Sequence, residues 1–297
     1  MLMRRIVNKT TVLIFITLCA MWAGPTVYAE PNSLEENKTL MGLFGWTHLE
    51  VEKEKGFHLN FDASGSYGPI SGYMQTPLGG APGSTSDKRP KFDELGIDTM
   101  TMVNLSLWAG LDSHYIYGSA HLVDLSGKNT LDEELIFHGR EYPVGTRVKS
   151  DVNLSWYDIG YQYNIYFGKE GTKLLVAPTV AYTLWDFSTK LESNNGKNSR
   201  SYIKGTPRLG LELEWFPLNR LSVSGKAIGS LPLNNMPHIY TVGLVGKYNL
   251  MDINRFKISL FMGVEYDWID FKDSQTVPNQ VKANMGPLGL FGAEIKF

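Results

Sequence analysis

The chain has 297 residues, with 28 basic and 30 acidic side chains and a formal net charge of −2, so it exerts no general pull on polyanions and no nucleic-acid partner is expected. Its single cysteine, Cys19, lies in an apolar run near the amino terminus, which leaves no disulfide framework for the rest of the chain. Beyond that run nothing approaches the roughly 18 continuous apolar residues of a membrane-spanning helix.

In chain order, the first element is a leader. Arg4, Arg5 and Lys9 precede the run TVLIFITLCAMWAG, and the small-residue site Val27-Tyr28-Ala29 precedes Glu30. Basic, then greasy, then small is the order of a secretory signal peptide, which places residues 1–29 in a leader cleaved after Ala29. Lipidation of Cys19 is disfavoured by the bulky Leu18 before it, so Cys19 leaves with the leader and the mature chain has no thiol. Residues 30–55 include LMGLFGWTHLEVEKEKG and read as a periplasmic or lumenal segment, because one more strand would make the count that follows odd.

From Gly56 onward the hydrophobic period is two, the period of strands. The first half gives strands over Phe57–Tyr67, Thr99–Leu111, His114–Leu125, Val152–Phe167 and Leu174–Phe187. The second gives Tyr202–Phe216, Leu221–Ser230, Ile239–Leu250, Phe256–Asp270 and Pro287–Phe297. Connections alternate in length. DSH, FGKEGTK, PLNR and MDINR are short, whereas Gly68–Asp98, Ser126–Asp151, Ser188–Ser201, Leu231–His238 and Phe271–Gly286 are longer. In the first long connection the Pro and Gly residues of TPLGGAPGST force turns, and KFDELG suits a short capped helical turn; two readings stay open, a loop that folds over or into the barrel mouth and an exposed, mobile surface loop. The same GGAPGST lacks the spacing of a phosphate-binding loop.

Within each strand one side is apolar and the other carries the charges. Phe57, Leu59, Phe61, Ala63 and Tyr67 oppose His58, Asn60, Asp62, Ser64 and Ser66, and Ile203, Leu209, Leu211, Leu213 and Trp215 oppose Lys204, Thr206, Arg208, Glu212 and Glu214. A lipid-facing Arg or Lys near the bilayer midplane costs about 2–4 kcal/mol, so a bilayer enforces such segregation. Phe167, Trp215, Phe256 and Phe297 would form one interfacial belt, and Tyr67, Tyr240, Tyr266 and Trp268 the other.

These features together resemble Gram-negative outer-membrane β-barrel proteins: a leader ending in VYA, about ten alternating strands, and a last strand GLFGAEIKF that stops on Phe297. The resemblance implies an all-β, transmembrane antiparallel up-and-down β-barrel over residues 56–297, located in the outer membrane. It implies outer-membrane lipid and lipopolysaccharide as surroundings, and Phe297 as part of the signal read by the barrel-assembly machinery. Activity is not implied, because a fold does not fix a function.

By parity Arg208, Glu212, Glu214, Lys226, Lys247, Lys257, Glu265, Asp267 and Glu294 point into the lumen. Two readings stay open: a salt-bridged plug that fills a narrow barrel, or a charged path for a small solute. About eight strands are just filled by side chains while wide aqueous channels need about sixteen, so ten favour the plug or a narrow pore. Lys226 is expected to pair with Glu212 or Glu214 on the neighbouring strand. No catalytic residue, cofactor or metal site is assigned. A lipid-acting hydrolase would need an activated Ser–His pair near the lipid face; Ser119 and His121 share a strand face, but polar neighbours are ordinary in a lumen. An omptin-like protease would need acids and a His at the outer rim, yet His121 and Asp124 face opposite sides, and Asp186, His238 and Asp270 come from different strands. The expectation is thus a non-enzymatic barrel, either a narrow channel or a surface-exposed structural or binding protein, with a rim hydrolase or protease as the alternative and the oligomeric state open.

Overall fold

The computed structural model describes residues 56–78, 88–167, 174–194, 196–218, 220–253 and 256–297. The leader 1–29 and the segment 30–55 lie outside the described residues. The strands are β1 (Phe57–Gln75), β2 (Thr99–Leu111), β3 (His114–Thr130), β4 (Leu135–Phe137), β5 (Arg140–Tyr142), β6 (Arg147–Asn153) and β7 (Trp156–Tyr163). They continue with β8 (Ile165–Phe167), β9 (Leu174–Ser193), β10 (Gly196–Leu218), β11 (Leu221–Ser230), β12 (His238–Ile253), β13 (Phe256–Lys272) and β14 (Gln280–Lys296). All but the β4–β5 hairpin belong to one sheet of twelve strands.

All pairings in the sheet are antiparallel, and β14 pairs with β1 from Asn60↔Lys296 to Gln75↔Gln280, so the sheet closes on itself. β6, β7 and β8 run end to end between β3 and β9 as a single stave, which makes a ten-stave barrel. The break in that stave, at Leu154–Ser155, is sealed locally. Leu154 N–H donates to the Val123 carbonyl (3.0 Å), and the Ser155 hydroxyl accepts from Val123 N–H (3.0 Å) in place of a backbone carbonyl.

Around the lower part of the wall, next to the short turns, apolar side chains face out. Phe61, Ile116, Val180, Leu209, Leu211, Leu213, Leu244, Met262 and Phe291 are all exposed there, while Ser66, Asn104, Asp158, Thr183, Arg208, Thr241 and Asp267 are buried inside. A soluble barrel would do the reverse. This is a membrane-spanning antiparallel β-barrel of the outer-membrane type. Tyr67, Phe167, Trp215, Phe256 and Phe297 of the expected belts stand on the outer surface, Phe256 packs edge-on against Phe297 (5.1 Å between centroids), and Tyr266 stacks on Trp268 (4.6 Å).

Toward the long-loop rim the strands run further than their sequence suggested, and the faces exchange character. On β9 the outward residues pass from Val180, Tyr182 and Leu184 to Asp186, Ser188, Lys190 and Glu192, while the inward ones become Trp185, Phe187 and Leu191. On β14 outward Phe291 gives way to Lys282, and the inward side carries Met285, Ala283 and Val281. Period two continues; only the solvent outside has changed, from lipid to water. Register shifts on β14 against both neighbours mark this level, between Tyr67/Ile70 and between Glu265/Asp267, as bulges do where a strand must twist more sharply.

The upper interior is therefore an apolar core rather than an aqueous mouth. Met74, Met100, Met102, Val123, Trp156, Trp185, Phe187, Ile239, Ile269, Phe271 and Val281 line it from the wall. Two long connections supply the rest. In place of the expected capped helical turn, residues 91–96 form a turn without a helix, capped by Lys91 N–H donating to Glu94 Oε2 (3.1 Å) and ended by Gly96 at φ 73°; Phe92 and Leu95, with Ile97 after them, enter the core. The β4–β5 hairpin adds Leu135, Phe137 and Tyr142. It is tied down where Ile136 N–H donates to Lys88 O (2.8 Å) and where Lys88 pairs with Glu134 (3.1 Å).

A polar brace across the lumen

Below the apolar core the inward residues of nearly every stave meet in one network. Asp158 on β7 is its hub. Its Oδ1 accepts from Thr183 Oγ1 on β9 and from Arg208 NH1 on β10 (3.4 Å); its Oδ2 accepts from Ser119 Oγ (3.2 Å) and lies 3.3 Å from His121 Nε2, both on β3. His121 Nδ1 is 2.8 Å from Asn104 Oδ1 on β2. Arg208 NH2 donates to Thr241 Oγ1 on β12 (3.0 Å), and Thr241 donates to Asp267 Oδ1 on β13 (2.6 Å). Two residues along the same face of β13, Glu265 pairs with Lys226 of β11 (2.5 Å). The chain of contacts thus crosses the barrel from β2 to β13 and returns to β11.

Of the lumenal charges expected from parity, Arg208, Lys226, Glu265 and Asp267 belong to this brace. Lys247 and Glu294 form a second pair nearer the short-turn rim (2.7 Å). Glu214 accepts from Ser222 Oγ (2.6 Å). Glu212 stands opposite Lys226 in the register, but Lys226 reaches past β12 to Glu265 instead. The corrected partner has a steric cause. The residue between Lys226 and Glu265 in the register is Gly243, and a Cβ there would lie 3.2 Å from Lys226 Cε, so the missing side chain is the groove in which the lysine lies. Lys257 is not in the network. It stands half exposed at the short-turn rim, 3.8 Å from Asp252.

Asn104, Asp158, Thr183 and Thr241 were missed by the charge inventory, which began at the sixth strand. A signal did exist: Asp158 is the lone acid of WYDIGYQY and shares its inward parity with Trp156 and Gln162.

The arrangement Ser119–His121–Asn104 has the order of a nucleophile, base and orienting group, with Ser119 Oγ 3.3 Å from His121 Nε2. Its members are also engaged elsewhere in the network. Ser119 donates to Asp158, the same carboxylate faces His121 Nε2, and Trp156 stacks flat on the imidazole (4.6 Å, 14°) from the side of the apolar core. With Asn104 Oδ1 beside one ring nitrogen and the Asp158 carboxylate beside the other, His121 is tied into the brace on both sides. Of the rim groups weighed for a protease, His238 and Asp270 stand opposite one another in the register of β12 and β13, while Asp124 and His121 lie on opposite faces of β3. Among the described residues no cluster of His, Cys, Asp or Glu suits a metal ion.

No family model matches the chain, and no curated protein matches it. Solved structures similar to it include the outer membrane protease OmpT of Escherichia coli, at 10% identity over 80% of this chain and 97% of that one, TM-score 0.41. They also include the attachment invasion locus protein Ail of Yersinia pestis (11%, 82% and 99%, TM-score 0.36) and Neisserial surface protein A (11%, 82% and 98%, TM-score 0.29). None of these values ties the chain to one neighbour's activity.

Proposed function

We propose that this chain is a non-enzymatic, non-conducting barrel of the outer membrane that holds a folded cap at the cell surface as a structural or binding platform. The observation that carries this reading is the apolar core across the long-loop half of the barrel, in which Trp156, Trp185, Phe92 and Phe271 are essentially inaccessible. A hydrated solute has no polar route through such a layer. The brace below it supports the same reading, since its charges are joined to one another instead of lining a free path. Short turns and both ends of the barrel share one rim, which in bacterial barrels is the periplasmic one, so the cap faces outward.

The topology is testable with single cysteines, because Cys19 is the only one in the sequence and belongs to the expected leader. Lys197→Cys, in the cap, is expected to react with a membrane-impermeant maleimide on intact cells, whereas Arg220→Cys, in a short turn, is expected to react only after the outer membrane is breached. The opposite pattern would invert the barrel and remove the surface platform.

A further inference from the structure

Above the membrane belt, β3, β6, β9 and β10 continue as a tall sheet whose outward face looks sideways, over the surrounding leaflet. Lys128 of β3 lies directly opposite Lys149 of β6 in the register, and Arg147 follows on the same face one row higher. Like charges set opposite one another destabilise a sheet, and all three side chains are exposed. None forms an ion pair among the described residues, although Lys149 also stands opposite Glu192 of β9 in the register. The acids of these rows are already engaged, Asp151 by Lys190 (3.4 Å) and Glu192 by both Lys190 (2.5 Å) and Lys197 (3.4 Å). The hydrogen bond from Lys190 holds the Glu192 carboxyl below its usual range. Asp124 and Asp186 stand lower on the same face, so the unpaired cations are the upper ones.

Resting on the outer-membrane reading above, we infer that Lys128, Lys149 and Arg147 form a docking site for phosphate groups carried by glycolipids of the surrounding outer leaflet. Orientation selects the source: β3, β9 and β10 rise unbroken from the lipid-facing wall and hold β6 between β3 and β9, so this face looks toward molecules standing beside the barrel. A phosphate between Lys128 and Lys149 would turn a repulsive pair into two charge-assisted contacts, with Arg147 placed for a third.

The test uses the refolded barrel in vesicles containing lipopolysaccharide, with retention of lipopolysaccharide on detergent extraction as the readout. The double variant Lys128→Gln/Lys149→Gln is expected to lower retention about tenfold, while Lys272→Gln/Lys282→Gln, on β13 and β14, leaves it unchanged. Enzymatically dephosphorylated lipopolysaccharide should bind both variants and the parent equally. Equal retention by the Lys128/Lys149 variant and the parent would overturn the inference. So would tight binding of soluble inorganic polyphosphate at this face with no loss of lipopolysaccharide retention, since the site would then serve a free polyanion. A barrel that does not enter vesicles at all would sink the membrane reading first, and this site with it.

Discussion

Arg208→Met is expected to destabilise the barrel by about 3–5 kcal/mol, the cost of removing one partner from a buried ion pair, read as a lower urea midpoint for the refolded protein in vesicles. Arg208 is 1% exposed and is the one side chain that touches both halves of the brace, Asp158 on one side and Thr241 on the other. Without it Asp158 keeps its hydroxyl donors and His121, but Asp267 and Glu265 are left with Lys226 as their nearest cation. Methionine restores most of the volume, so the loss reports on charge. Asp158→Asn in the same background should recover part of the midpoint, because it removes the carboxylate that Arg208 neutralised. If Arg208→Met unfolds at the parent's urea concentration, the lumenal charges are solvated singly and the brace does not hold the staves together.

Trp185→Ala should cost a similar amount, about 3–5 kcal/mol, and by a different route. Trp185 is wholly buried at the centre of the cap, within ring-contact distance of Phe187 (5.4 Å), Phe271 (5.6 Å) and Tyr202 (5.7 Å). Truncation leaves a cavity that two rigid sheet walls cannot collapse to fill. The damage should stay above the brace. Added protease is then expected to cut the connections that seal the mouth, around residues 88–98 and 131–146, while the lower wall stays resistant. Unchanged protease resistance would mean that these connections are held by something other than the apolar core.

The membrane part of the fold was legible because lipid imposes a simple rule. Every outward residue there must be apolar, so Leu209, Leu211 and Leu213 betray their strand by parity alone. Sequence reading ended β9 at Phe187 and began β10 at Tyr202, because outward Asp186, Lys190 and Glu192 break that rule. In the structure the same strands continue into water, where the rule is reversed. Had Trp185, Phe187 and Leu191 been followed as an inward apolar row, the cap would have appeared as a soluble-type core set on a membrane-type barrel. The lumenal pairs were harder. Parity put Lys226 and Glu265 on the inner face, but only the closed register shows Gly243 lying between them. A side chain long enough to cross a stave finds partners that neighbour-by-neighbour reasoning does not reach.

Ion conductance across a planar bilayer tests the central claim, that the apolar cap closes the barrel, most directly. The refolded parent protein is expected to insert without unitary currents at ordinary voltages, and Trp185→Ala is expected to admit brief, irregular openings as the cap loosens. Steady, uniform conductance steps from the parent protein would show a permanent aqueous path through the lumen and would contradict the closed-barrel account.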